Sequence, residues 1–451
     1  MPKTKNIWDV FYINDEFFIY PIIDKIKNKE EYKRLFSNFI SLSVLQAANY
    51  LLPLITLPYL VRVLGPEKYG LVSFAQAFVT YFMILTDYGF NLSATREISI
   101  NRDNKEKLSE IFSSVMTIKA GLLIVSFMLM SIIVFSFGKF SRDWPIYYLT
   151  FGMVLGQVLF PVWFFQGMER MKYITVLNIT AKLIFTVAIF VFVHHMEDFL
   201  YVPLLNTLGY IIAGILSLWL IFRDFNISFN PPSLSDIKHH LKEGWDIFLT
   251  TIAVSLYTTS NTFILGLFTN NTIVGYYTGA EKIVKAVQGL LAPISQTIYP
   301  YISKLVSESK ERAIKFIKKL VIIIGTGSFI LSLFILIFAS PIVNIILGNQ
   351  YHQSIIVLQI LSFLPFIIGL SDILGIQTML AFNMKSEFLK VIGRLSIVSV
   401  ILFLILTPLF KQIGTAISWF LTETFITIYM FIILNRNGIN ILKGKLEYEE
   451  K

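Results

Sequence analysis

Residues 320–340 read LVIIIGTGSFILSLFILIFAS, a run of 21 residues without a charged side chain. A helix needs about 20 apolar residues to cross the hydrocarbon core of a bilayer. The preceding ten residues, KERAIKFIKK at 310–319, carry five Lys or Arg. Such basic clusters are typical of the cytoplasmic side of a membrane. This segment therefore predicts a membrane-spanning helix that enters the bilayer from the cytoplasm.

Segments of the same kind recur along the chain. Hydrophobic residues make up 55% of the composition and charged residues 15%, with a mean hydropathy of +0.67. Backbone groups find no water in lipid, so spanning segments are expected to be helices. We predict an all-α integral membrane protein of about 12 transmembrane helices, in two six-helix halves around a central cavity. The predicted spans are 39–63, 70–92, 112–137, 145–167, 173–194, 199–222, 245–268, 273–301, 320–347, 354–380, 388–408 and 412–434.

The basic residues predict the orientation. The two tails and alternate connections hold 28 of the 38 Lys and Arg, whereas the opposite connections hold five. This asymmetry places both termini in the cytoplasm. The net charge of +9 then describes membrane orientation, and no nucleic-acid partner is expected. The chain has no Cys, which excludes disulfides and thiolate chemistry.

An internal repeat divides the chain. Gly70 and Ala75 have the same spacing as Gly275 and Ala280, 205 residues later and at the same point of each half. Duplicated halves predict a substrate path between them near the membrane midplane, with alternating access by rocking. The predicted organisation is an N-terminal cytoplasmic extension (1–35), an N-terminal lobe (36–222), a cytoplasmic linker (223–244), a C-terminal lobe (245–434) and a cytoplasmic tail (435–451).

Cations inside spans are candidates for the substrate path, because a buried charge costs about 2.5–3.5 kcal/mol or more. Lys282 and Lys285 are expected to share one helical face, with Glu281 off it. The alternative for each is a long side chain that reaches the interface. The five candidates are Lys119, Lys182, Lys282, Lys285 and Arg394.

Acids inside spans are candidates for coupling transport to H⁺ or Na⁺. The candidates are Glu423, Asp372 and Glu281, and the alternative is a structural ion pair with a Lys or Arg of another span. Asp87 and Asp246 lie near span ends and are expected to cap helices or to pair with loop cations.

Metal and nucleotide chemistry is not indicated. The adjacent pairs His194–His195 and His239–His240 lack the i, i+4 spacing and carboxylate company of a zinc site, so no metal is expected. No phosphate-binding Gly-Lys-Ser/Thr loop occurs, which argues against ATP hydrolysis. No cofactor is expected.

A set of motifs resembles the Wzx-type flippases, the O-antigen or polysaccharide transporters of the multidrug/oligosaccharidyl-lipid/polysaccharide exporter superfamily. The similarity covers about residues 36–435. The residues that carry it include Arg62, Gly65 and Gly70; Asp87, Gly89 and Arg96; Pro161, Trp163, Gln166, Gly167 and Glu169; and Asn261.

The resemblance implies a MATE-like fold and a carrier that is not an enzyme. It would move an undecaprenyl-pyrophosphate-linked oligosaccharide across a bacterial inner membrane, with a polysaccharide polymerase and a chain-length regulator as partners. A drug/cation antiporter of the same superfamily is the first alternative. A membrane polysaccharide polymerase or ligase and a flippase for another lipid are weaker alternatives.

Overall fold

A computed structural model of the protein describes residues 30–289 and 292–446. The predicted N-terminal extension lies almost wholly outside these residues. The first half contains α1 (Glu30–Asp87), α2 (Phe90–Ile100), α3 (Lys105–Ser136), α4 (Gly138–Ser141), α5 (Trp144–Leu159), α6 (Val162–Gly167), α7 (Met171–Phe192), a 3₁₀ turn (Met196–Leu200) and α8 (Tyr201–Asp224).

The second half repeats this organisation with more breaks. It contains α9 (Leu234–Thr258), α10 (Ser260–Phe268), α11 (Asn271–Gly289), α12 (Ala292–Glu308), α13 (Lys310–Ile337), α14 (Ala339–Ile346), a 3₁₀ turn (Asn349–Tyr351), α15 (Ser354–Leu361), α16 (Leu364–Asp372), a π-helical segment (Ile373–Leu380) and α17 (Lys385–Arg436). A two-stranded antiparallel hairpin, β1 (Ile439–Asn440) with β2 (Lys445–Leu446), follows α17.

Local residues account for the helix limits. Two long helices contain a sharp break at a residue with positive φ, Gly65 in α1 (φ 65°) and Lys411 in α17 (φ 52°). Each break separates two predicted spans. On the predicted cytoplasmic side, Asn104, Ser233 and Ser309 accept hydrogen bonds from backbone N–H groups in the first turn of α3, α9 and α13. Such caps satisfy donors that the helix leaves free.

The protein is a multi-pass membrane protein. Eight stretches of the described residues are long and apolar enough to cross a bilayer, and two of them contain the breaks at Gly65 and Lys411. The count of 12 spans is therefore not confirmed, because the predicted spans 245–268 and 273–301 fall outside these stretches. Large apolar side chains on the outer surface, such as Ile323 and Ile330, are more than half exposed. Lipid can cover such a surface.

Three apolar clusters hold the helices together. One joins the halves at the predicted periplasmic end and includes Leu64 and Phe74 of the first half with Tyr277 of the second. The second, around Trp163 of the first half, extends to Phe248 of α9 in the second half, and the third, around Val391, lies within the second half. Among the described residues, two of the three clusters therefore join the halves.

The matching glycines of the internal repeat make this shared contact possible. A Cβ atom on Gly70 would lie 1.8 Å from the backbone oxygen of Asn271, and one on Gly275 would lie 1.9 Å from the backbone oxygen of Pro66. Each glycine thus lies directly against the backbone of the other half. The two helix segments approach more closely than any residue with a side chain would allow.

Candidate functional site

A cavity of about 190 Å³ lies between α1, α7, α8 and α11. Lys182 of α7 and Lys282 of α11 both line it, although they belong to different halves of the chain. We call it the two-lysine cavity. Its other polar lining residues are Thr56, Tyr69, Ser73, Gln76, Thr186, Asn206 and Tyr210, and no carboxylate is among its described lining residues.

The two lysines have neutral partners. The Lys182 ammonium donates to the Asn49 side-chain oxygen at 2.6 Å, and the Lys282 ammonium lies 5.2 Å from the centre of the Tyr69 ring. Neither forms an ion pair with a carboxylate in the described part of the chain. A small cavity with two such cations attracts an anion, because interactions between charges strengthen where water is partly excluded.

Lys285 has a different environment from Lys282. Its ammonium lies 2.9 Å from the Glu281 carboxylate and 5.6 Å from the centre of the Trp419 ring. The expected shared face of Lys282 and Lys285, with Glu281 off it, is therefore wrong. Glu281 and Lys285, which are four residues apart on α11, pair with each other, whereas Lys282 lines the cavity.

The acids proposed for coupling lie in the second half. Glu281 accepts from the Thr262 hydroxyl at 3.2 Å, and Glu423 accepts from the Trp419 indole N–H at 3.3 Å. Trp419 thereby connects Glu423 to Lys285 and Glu281 in one series, in which both acids are buried and the Lys285 side chain is 43% exposed. The third acid, Asp372, accepts from the Ser295 hydroxyl, which in turn accepts from the Gln377 amide at 2.6 Å. Within the described residues, neither Glu423 nor Asp372 has the ion pair considered as the alternative.

The remaining two predicted cations lie away from the two-lysine cavity. Lys119 is 1% exposed, and its ammonium lies 3.9 Å from the Asp87 carboxylate. This contact pairs Asp87 with a cation of a neighbouring span, where the sequence predicted a cap or a loop cation. Arg394 is exposed and donates to the Tyr429 hydroxyl at 2.6 Å. Asp246 is also exposed on the surface of α9.

One group of motif residues joins the halves at the predicted periplasmic end. Arg62 donates to the backbone oxygen of Ile345, next to the break at Gly65. Two other hydrogen-bonded contacts between a side chain of one half and the backbone of the other were not predicted from the sequence. The Gln350 amide donates to the backbone oxygens of Val61 and Arg62 at 3.1 and 3.2 Å. The Lys139 ammonium donates to backbone oxygens at the end of α10, including that of Thr269 at 2.6 Å.

A second group of motif residues packs α2 against α6 at the predicted cytoplasmic end. A Cβ atom on Gly167 would lie 2.5 Å from the Ile98 side chain, so glycine permits the contact. The Arg102 guanidinium donates to the Gly167 backbone oxygen and pairs with Glu169 at 3.0 Å. The Thr95 hydroxyl lies within hydrogen-bond distance of the Gln166 side-chain oxygen.

The other motif residues serve the helix limits or the core. Gly89 has φ 80° and precedes the first residue of α2, and Pro161 lies at the break between α5 and α6. Trp163 and Asn261 are fully buried, whereas Arg96 is exposed.

Comparison with known proteins identifies the family. Residues 35–306 match the family described as "Polysaccharide biosynthesis protein". The chain belongs to this family. It is 36% identical over 402 residues to an Escherichia coli K12 protein named "Putative O-antigen transporter", covering 89% of this chain and 97% of that protein. It is 30% identical over 397 residues to a Shigella dysenteriae protein of the same name, covering 87% and 98%. The resemblance predicted from the sequence motifs is confirmed.

Solved structures show the same fold. A lipid II flippase MurJ in an inward closed conformation gives a TM-score of 0.64 at 13% identity, covering 89% of this chain and 87% of that chain. An inward-facing multidrug resistance MATE family transporter of the MOP superfamily gives 0.63 at 14% identity, covering 88% and 96%. The predicted two-lobed, all-α, MATE-like fold class is confirmed. At these identities the similarity extends to the fold alone.

Proposed function

We propose that the protein is a flippase for an undecaprenyl-pyrophosphate-linked oligosaccharide. It moves the polar head from the cytoplasmic to the periplasmic leaflet of a bacterial inner membrane, with both of its own termini in the cytoplasm. The observation that carries the proposal is the convergence of Lys182 and Lys282 on one cavity without a carboxylate. The names of the E. coli and Shigella relatives, together with that of a Haloferax volcanii protein called "Probable low-salt glycan biosynthesis flippase Agl15", support it.

The chemistry of the cavity suits the pyrophosphate. Lysine ammonium groups bind phosphate oxygens as point charges, and amide and hydroxyl groups such as those of Asn206 and Tyr210 suit sugar hydroxyls. The cavity volume of about 190 Å³ is below the range of about 300–1,000 Å³ that is typical of ligand sites. We infer that a wider conformation admits the oligosaccharide, and that the described one holds the halves together at the predicted periplasmic end.

The energy source belongs to the same proposal. A head with about two negative charges that leaves an inside-negative cell gains about 4–5 kcal/mol at 100 mV. The series Glu281, Lys285, Trp419 and Glu423 offers a second source, since proton or Na⁺ binding to a carboxylate changes the charge balance around Lys285. We propose coupling through Glu423 and Glu281, with Asp372 as a further candidate. No catalytic step is needed, and a polymerase and a chain-length regulator act on the product.

The test is flipping of labelled undecaprenyl-pyrophosphate oligosaccharide in proteoliposomes. Loss of one charge-assisted hydrogen bond costs about 1.5–3 kcal/mol, so Lys182→Ala and Lys282→Ala should each slow transport by about 10- to 150-fold. Arg394→Gln is the matched control, because Arg394 is a cation of a predicted span that does not line the cavity. Lys119→Met tests the remaining candidate, and Glu423→Gln tests dependence on imposed H⁺ or Na⁺ gradients.

The outcomes separate the site from the function. Wild-type flipping that both lysine variants retain would discard the two-lysine cavity and keep the flippase. Antiport of a cationic dye without flipping of any lipid-linked glycan would move the protein to the drug/cation antiporters. The absence of a carboxylate from the described cavity lining argues against that alternative, because such carriers need to attract a cation.

A further inference from the structure

Two histidines of α9 face a carboxylate of α2 at the predicted cytoplasmic end. The His239 Nε2 atom lies 3.5 Å from the Glu97 Oε1 atom, and the His240 Nδ1 atom lies 3.4 Å from the same oxygen. The expectation that this histidine pair lacks carboxylate company is wrong. Glu97 is 142 residues before His239 in the chain, so the sequence spacing does not reveal the contact.

The three side chains have the geometry of a metal site. All three donor atoms lie within 4.8 Å of one another. Bonds of about 2.0–2.2 Å to a tetrahedral zinc ion place neighbouring donor atoms about 3.3–3.5 Å apart. The two distances to the Glu97 carboxylate match this spacing, so small side-chain rotations suffice to bind an ion.

Burial gives the cluster both rigidity and access. The His240 side chain is 5% exposed and the Glu97 side chain 20%, so packing holds these two ligands in place. The His239 side chain is 60% exposed, which leaves a route for an ion from the cytoplasm. Three ligands with one open position, available to water, form a recognised arrangement for zinc.

The charges around the cluster have their own partners. Lys107, whose charge acts on Glu97, is paired with Glu110. Asp236 lies one turn before His240 on α9, and its carboxylate is held by Ser233 at the start of that helix. Asp236 thus adds negative charge near the cluster without competing with Glu97 for the histidine nitrogens.

The second histidine pair of the chain shows that adjacency alone is insufficient. His194 and His195 lie near Asp198, but that carboxylate accepts from their backbone N–H groups at 2.9 Å each. The His194 ring instead contacts the Tyr59 hydroxyl. This pair therefore serves as a matched control with the same residues and a different arrangement.

We propose that Glu97, His239 and His240 form a binding site for a divalent first-row transition metal of the zinc class. Two imidazoles and one carboxylate suit such borderline ions. Glu97 belongs to the first half, and the two histidines lie at the beginning of α9, within the predicted linker between the halves. A bound ion fastens this linker to α2. The site is independent of the transported lipid and of the two-lysine cavity.

The experiment is a Zn²⁺ titration of the tag-free, full-length protein in detergent or nanodiscs, in competition with a chromophoric chelator. The absence of Cys removes thiolate background. We expect one equivalent of Zn²⁺ per chain for the wild type and for His194→Ala/His195→Ala. Glu97→Gln and His239→Ala should weaken binding at least about tenfold.

The variants keep the test decisive. His239 is largely exposed and Glu97→Gln preserves shape, so both variants should fold with a melting temperature near that of the metal-free wild type. Zn²⁺ should raise the melting temperature of the wild type and leave that of Glu97→Gln unchanged. Equal Zn²⁺ affinity in the wild type, Glu97→Gln and His239→Ala would overturn the proposal. A wild type that does not bind one equivalent of Zn²⁺ would overturn it too, and the cluster would then be only a polar contact between α2 and α9.

Discussion

The glycine contact between the halves predicts how a single methyl group redistributes the conformations of the carrier. In Gly275→Ala, the new Cβ atom would lie 1.9 Å from the Pro66 backbone oxygen. Ordinary carbon–oxygen contacts are about 3.3–3.6 Å, so α1 and α11 must separate by about 1.4 Å. Overpacking of this kind costs about 1–3 kcal/mol. Since the cost falls only on the conformation with this end closed, the closed population should decrease about 5- to 150-fold relative to the open one.

Helix propensity does not cancel this effect. Alanine stabilises a helix by about 1 kcal/mol relative to glycine. That gain applies to every conformation in which α11 is helical, so it leaves the ratio between conformations unchanged. Gly70→Ala should act in the same direction, because its Cβ atom would meet the Asn271 backbone oxygen at 1.8 Å. Transport should slow in both variants if each cycle passes through the closed end.

Spin labels can report the opening directly, since a chain without Cys accepts labels at chosen positions only. Arg142→Cys and Asn270→Cys place labels on exposed residues of opposite halves at the predicted periplasmic end. We expect longer label distances in Gly275→Ala than in its parent. Gly327→Ala is the matched control, because a Cβ atom there meets nothing within 4 Å. Distances in Gly275→Ala that equal those of Gly327→Ala would refute the reasoning.

Three further substitutions test other parts of the fold. Gly89→Ala should lower stability by about 1–2 kcal/mol or more, because φ is 80° and the new Cβ atom would lie 2.8 Å from Ile247. An unchanged melting temperature would contradict the strain. Lys139→Met should lower stability by about 1–2 kcal/mol through the loss of its bonds to the end of α10, with Lys139→Arg recovering part of it. Equal melting temperatures for the two variants would contradict this role. The Ser233 hydroxyl lowers the pKa of the Asp236 carboxyl below its usual range. The ionised carboxylate therefore stabilises the first turn of α9 above about pH 4, and this stabilisation is lost as the pH falls further. Hydrogen exchange should show the first turn of α9 protected at pH 7 and less protected at pH 3. A Ser233→Ala variant whose first turn is as well protected as that of the wild type at pH 7 would refute the cap.

Much of the architecture follows from the sequence for simple physical reasons. Apolar runs of bilayer length and capping residues such as Asn104 and Ser233 act locally, so helix positions can be predicted from neighbouring residues. The repeat of Gly70 and Gly275 is also visible in the sequence. Positions of charges along the chain suffice to propose an orientation. These properties depend on residues that are close together in the sequence and on the contact of each segment with lipid.

The choice among buried charges depended on the tertiary structure. Lys119 and Lys182 have similar apolar surroundings in the sequence, yet one pairs with Asp87 and the other lines the two-lysine cavity. Helical periodicity places a side chain on a face of its own helix but does not tell which neighbouring helix that face meets. The same limit explains Glu97, whose approach to His239 depends on the packing of α9 against α2. The sequence by itself therefore determined that the chain crosses the membrane several times through apolar helices, and only the packing of the helices decided which charged groups meet.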